Sequence, residues 1–185
     1  MTTASTFTPL PSPVRATWDM QRAHCTLHLA ETMHAQPVPV VHYIQPGLRL
    51  LSHRIFRQRV PTPQQIEQAI MVTEDALRPL ARLLPADMRL LSSHPLLHQI
   101  TQHLPPPDAR PDPDSLMPAP PQQHLPHDGV HALLQRRLAQ DPALPRDAQW
   151  TAALVLSYEV LHHWGLPWME LVHASAAPMP ARAAH

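Results

Sequence analysis

The chain has 185 residues, 44% of them apolar and only 4% aromatic, which suits one globular core built mainly from aliphatic side chains. Its 14 basic residues are all arginine and balance 14 acidic ones, so no global field draws it to nucleic acid or an anionic membrane. With three glycines, no lysine and no Gly-x-Ser-x-Gly sequence, a dinucleotide fingerprint, a P-loop, a Schiff-base enzyme and a nucleophile elbow are excluded.

Residues 1–12 are rich in Thr, Ser and Pro and read as a mobile tail. Ser12 and Pro13 resemble a helix start, and Val14, Trp18, Cys25, Leu29 and Met33 then fall on one helical face until Pro37 and Pro39 stop it. Val38–Ile44 reads as a short edge strand, because proline cannot donate to a ladder. Gln45-Pro46-Gly47-Leu48 has the signature of a type II turn. The stretch 48–60 reads equally as helix or strand. Thr62-Pro63-Gln64-Gln65 is a capping box, opening a helix whose buried face is Ile66, Ala69, Ile70, Thr73, Leu77, Leu80 and Leu84. Glu74 and Arg78 are spaced as an ion pair, Pro79 should kink or split the helix, and Pro85 ends it. Met88–Ser92 reads as a return strand, and His94-Pro95 opens a short helix.

Nine prolines in 104–127 make that span a stiff, extended linker or loop. Asp128 and Gly129 open another helix, 130–140. Asp147 then caps a helix running to Trp164; it is apolar nearly all round and so central, with Gly165 as its C-cap. The expected fold is α+β and predominantly helical, with four or five helices and a small sheet of two or three strands. An irregular all-α bundle is the alternative. The expected organisation is one domain over 13–172, interrupted at 104–127, with mobile tails at 1–12 and 173–185.

Fifteen histidines and 25 prolines are what a C-rich coding strand would produce, so abundance alone argues for no histidine chemistry. Two patterns still suit a metal. His24, His28 and Glu31 share a helical face at i, i+4 and i+7, a donor set for Zn, Ni or Fe. Glu31 with His34 and Glu159 with His162 are Glu-x-x-His pairs of the kind used in di-metal bundles. His94, His98 and His103 form a looser set, as do His124, His127 and His131. Against these readings stand solvated helix faces and a helix-end Glu–His pair, so no cofactor is the main expectation.

Arg49, His53, Arg54 and Arg57 form a basic segment, and Trp168 lies beyond the last helix where exposure is expected. These are candidate contacts for an anion or a partner protein. Cys25 excludes an intrachain disulfide and fits a reducing compartment. Met1–Pro13 lacks a signal-peptide pattern, and no apolar run nears the ~20 residues that cross a bilayer. The functional expectation is a cytoplasmic, non-catalytic interaction or accessory protein that binds another protein, with a metal-binding protein or metal-dependent enzyme as the alternative.

Overall fold

The computed structural model describes residues 14–33, 36–57, 60–85, 87–104 and 123–173. Alternation of period two governs its first third. In β1 (Arg15–Met20), Ala16, Trp18 and Met20 are buried, while Arg15 and Thr17 face out. β2 (Cys25–Met33) returns antiparallel with Cys25, Leu27 and Leu29 buried, and Met20 opposite Cys25. The helix expected from Val14 to Met33 is therefore a hairpin. Apolar residues at every second position on both sides of Gln21–His24 satisfy a strand without a gap, and a strand needs only that.

β3 (Gln36–Ile44) pairs antiparallel with β2 and forms one edge of the sheet, where Pro37 and Pro39 are tolerated. The ambiguous stretch after it holds a π-helical segment, Leu50–Ile55, that buries Leu51 and Ile55. The capping box is formed: the Thr62 hydroxyl accepts from the Gln65 amide at 3.3 Å, and the Gln65 side chain accepts from the Thr62 amide at 3.0 Å. It starts α1 (Pro63–Leu77), which carries the Glu74–Arg78 ion pair and stops before Pro79. A single 3₁₀ turn, Leu80–Arg82, follows.

β4 (Arg89–Ser92) lies parallel to β1 and leads into α2 (Pro95–Thr101). β5 (Gln123–Pro126) occupies the end of the span expected to be linker, and 105–122 lies outside the described residues. α3 (His127–Leu138), α4 (Ala148–His163) and β6 (Trp168–Leu171) complete the chain order. The Asp147 carboxylate caps α4 by accepting from the Trp150 amide at 2.8 Å.

The sheet has six strands in the order β3-β2-β1-β4-β6-β5, mixed in direction. The expectation of a two- or three-stranded sheet, and the all-α alternative, are both overturned. One sheet face carries Trp18, Met20, Leu27, Leu29, Leu90 and Met169 and is covered by the helices, with α4 buried almost all round between α1 and α3. Trp18 meets Trp164 edge to face with ring centroids 5.6 Å apart. The other face presents Arg15, Thr17, His28, Arg89 and Trp168 outward. Among the described residues no helix is long and apolar enough to cross a membrane.

The topology fixes where a site can form. β1 and β4 are parallel neighbours, but the chain leaves β1 for the hairpin on one side and leaves β4 through α2 for β5, and later β6, on the other. Their carboxyl ends open a crevice that no crossover covers, the position where open α/β sheets take ligands.

Candidate active-site cleft

Asp19 stands one residue before the end of β1, half-exposed at this crevice. The turn after it, Gln21–His24, is clamped from behind by the 45–49 loop. The Leu48 amide donates to the Gln21 carbonyl at 3.0 Å, and the Arg49 amide to the Arg22 carbonyl at 2.7 Å. Gly47 makes that approach possible: a Cβ there would sit 2.4 Å from the His24 nitrogen and 2.5 Å from the Ala23 carbonyl carbon. The glycine serves close packing, not the positive φ of the expected type II turn, because Gly165 has the one positive-φ glycine backbone among the described residues.

The far wall comes from β4. The buried Ser92 hydroxyl donates to the Trp18 carbonyl at 2.7 Å and accepts from the His94 amide at 3.4 Å, tying the end of β4 to β1. His94 caps α2, its Nδ1 accepting from the Leu96 amide at 3.3 Å. That bond requires Nδ1 to be unprotonated, so Nε2 carries the proton. Burial pushes the His94 pKa down and the nearby Asp19 charge opposes that shift, so the ring is neutral at pH 7. Asp19 accepts from the Gln21 side chain at 3.2 Å.

These elements enclose a cleft of about 970 Å³ lined by Asp19, Arg22, His24, Arg49, His53 and His94, with Gln149 of α4 at its edge. Asp19 is the one carboxylate in the wall, against two guanidiniums and three imidazoles. Guanidiniums and imidazoles are the side chains that suit an anion, and the Asp19 carboxylate shares their wall.

The residues singled out from sequence scatter. His24 lies in the cleft turn, its ring 5.2 Å from that of Tyr43. His28 faces outward from β2, and Glu31 lies on β2 opposite Val38. His34 lies outside the described residues. The helical face that would have joined His24, His28 and Glu31 does not exist. At the other end, Glu159 is buried and binds His163 at 2.9 Å, while His162 is exposed and stacks on Tyr158 at 5.3 Å. Burial, reinforced by the charge of Glu74, pushes the Glu159 pKa up to about 8. Among the described residues no group of three His, Cys, Asp or Glu could hold a metal ion.

His103 meets Trp150, His98 stacks on His173, and His127 and His131 join the Tyr158 stack. Cys25 is buried with its thiol 3.6 Å from the Pro46 carbonyl, and burial raises its pKa, so it is no nucleophile. Of the basic segment, Arg49 and His53 enter the cleft and Arg54 lies beside it, but Arg57 turns away at φ 50° and donates to the Arg54 carbonyl. Trp168 is 48% exposed. Sequence reasoning missed Asp19, Arg22 and Gln149. The period-two pattern of β1 was the available signal, since it puts a carboxylate just before a turn at a strand's carboxyl end.

No family model and no curated protein matches the sequence. Solved structures do match in shape. A Ppx/GppA phosphatase of Aquifex aeolicus superposes with TM-score 0.58 at 10% identity, over 88% of this chain and 54% of that one. The chain shares the fold of the matched part of that structure. An exopolyphosphatase from Cytophaga hutchinsonii matches with TM-score 0.56 at 13% identity, over 89% and 55%. An exopolyphosphatase-like protein matches at 12% identity with TM-score 0.56, over 89% and 56%. The chain thus spans a little over half the length of these structures. The expectation of a non-catalytic interaction protein is corrected here, because the proteins sharing this architecture are phosphatases and exopolyphosphatases by name.

Proposed function

We propose that the cleft binds a phosphorylated anion and hydrolyses its terminal phosphoryl bond. The observation that carries this reading is the convergence of Asp19, Arg22, Arg49 and His94 at the switch point between β1 and β4, in a fold shared with phosphatases. Phosphoryl transfer asks the protein mainly for positioning and charge stabilisation, and the cleft is equipped for both.

Arg22 and Arg49 neutralise the phosphate oxygens, each able to make two parallel hydrogen bonds. Neutral His94 donates from Nε2 to an oxygen of the transferred group; with Nδ1 occupied by Leu96 it does not accept the water's proton there. Asp19 accepts that proton as the water oxygen bonds to phosphorus. The bond from phosphorus to the leaving oxygen breaks, and that oxygen departs with the electron pair. A hard divalent cation takes one or two carboxylates together with substrate oxygens. Asp19 alone fits a cation that arrives on the substrate, not one caged by protein, and such a cation would supply further charge neutralisation.

The test is phosphate release from tripolyphosphate and from nucleoside triphosphates, with magnesium present and absent. Asp19→Asn should lower turnover by a factor of about 10²–10⁴, the usual worth of a positioned base. Folded native protein that releases no phosphate from any of these substrates overturns the proposal.

A further inference from the structure

A second pocket of about 560 Å³ adjoins the cleft and shares Arg22, Ala23, Arg49 and His53 with it. Gln45, Leu50 and Arg54 complete its wall. Three guanidiniums and an imidazole line this space, and no carboxylate does. In a chain of zero net charge that is a local concentration of one sign.

The arrangement is held by backbone, not by counter-charges. The Arg49 amide is bonded to the Arg22 carbonyl, so the two arginines start from points fixed by one hydrogen bond. Arg54 follows from the same π-helical segment, whose buried Leu51 and Ile55 anchor it to the core. Among the described residues, Arg22, Arg49 and Arg54 make no ion pair with a carboxylate. Elsewhere arginines do find acids, as Arg78, Arg89 and Arg136 show. Three guanidiniums lining one pocket, none of them paired with a carboxylate among the described residues, favour an anion of two or more charges.

We infer that this second pocket is a phosphate subsite of its own, in which Arg54 with Arg22 and Arg49 holds a phosphate group other than the one that reacts. The inference rests on the hydrolase reading of the cleft for what lies next door, but not for the binding itself. The shared wall makes Arg22 and Arg49 the bridge, so a ligand with several linked phosphates spans both pockets. The same chemistry would also accept free phosphate, such as a released product.

The experiment reads binding on Asp19→Asn protein, where turnover does not deplete the ligand, by calorimetry at fixed ionic strength. The probes are inorganic tripolyphosphate and inorganic phosphate. Adding Arg54→Ala should weaken tripolyphosphate at least about tenfold, and Arg54→Lys should recover part of the loss. Two phosphate sites falling to one in Arg54→Ala identify free phosphate as a ligand of the subsite. A single phosphate site with the tripolyphosphate loss intact identifies the linked chain as the ligand. Tripolyphosphate affinity within twofold of the parent in Arg54→Ala, or no binding by the parent at all, overturns the inference. Binding that depends on Arg54 in a protein that releases no phosphate leaves the subsite standing and removes the hydrolase reading alone.

Discussion

Glu159 makes the stability of this protein pH-dependent in a direction opposite to that of most carboxylates. It is 1% exposed, its carboxylate lies 2.9 Å from His163, and Glu74 of α1 adds like charge. Burial first, then Glu74, raises its pKa from 4.5 to about 8. The folded state therefore holds a proton that the unfolded chain has released between those values. The stabilisation is complete below about pH 4.5, declines as pH rises through the window, and is gone above about pH 8. His163 acts the other way: burial lowers its pKa from 6.5, so its penalty grows as pH falls below 6.5. The two slopes oppose each other in the acid range and leave the Glu159 term alone between about pH 6.5 and 8. At 1.36 kcal/mol per pH unit, that interval is worth about 2 kcal/mol. Glu159→Gln removes the titration and nearly preserves the shape. His163 is common to both proteins and cancels in the comparison, so urea unfolding at pH 6 and pH 9 should show the variant gaining about 3 kcal/mol on the native protein between the two conditions, from about two pH units of Glu159 titration. A difference between variant and native that stays constant within 0.5 kcal/mol from pH 6 to pH 9, about the scatter of such measurements, would refute the assignment of a buried, neutral Glu159.

Gly47→Ala should destabilise the protein by about 1–3 kcal/mol and weaken phosphate binding, because its Cβ collides with the backbone of Ala23 and His24; an unchanged melting temperature would contradict the clamp. Arg137 is 2% exposed and donates to Thr151 at 3.2 Å and the Pro61 carbonyl at 3.4 Å, with no carboxylate paired to it among the described residues. Arg137→Met should raise stability by about 1–2 kcal/mol in urea melts, since apolar volume replaces a desolvated charge; a loss of similar size would show those two bonds to outweigh desolvation. Cys25 should resist iodoacetamide at pH 8 until the protein unfolds, because burial and the charge of Asp19 keep it a thiol; rapid labelling of folded protein would contradict that burial.

The elements with local chemistry were readable from the chain. Thr62 and Gln65 specify the start of α1 through their own side chains, and Asp147 does the same for α4. The hairpin was not readable as taken, because Trp18, Cys25 and Leu29 satisfy a loose helical face while Ala16, Trp18 and Met20 satisfy a strand. What decides between them is pairing with β3 and β4, which lies outside any local window. That one misreading removed the sheet's centre and with it Asp19 and Arg22. His94 was legible as the start of a short helix and as one histidine of a loose set, but not as part of a site. Its role comes from Ser92, which joins two strands 74 residues apart in sequence.

Scarcity of glycine led away from phosphate chemistry, and the reason is instructive. The familiar phosphate loops use backbone amides, and glycine lets the backbone approach the ligand. Their absence excludes those loops, not phosphate binding. In the proposed site the donors are side chains: guanidiniums from the β1–β2 turn and the 45–49 loop, and an imidazole at the start of α2. Side-chain donors need no close backbone approach to the ligand, so one glycine suffices, and Gly47 is spent where two loops of the protein itself touch. The exchange has a consequence. Amide cradles keep their dipoles at any pH and salt, whereas guanidinium contacts with an exposed anion are screened. Anion affinity in this cleft should fall steeply between 50 and 500 mM salt, with a shallower slope in Arg22→Ala. An affinity indifferent to salt would mean that backbone groups, not these arginines, hold the phosphate.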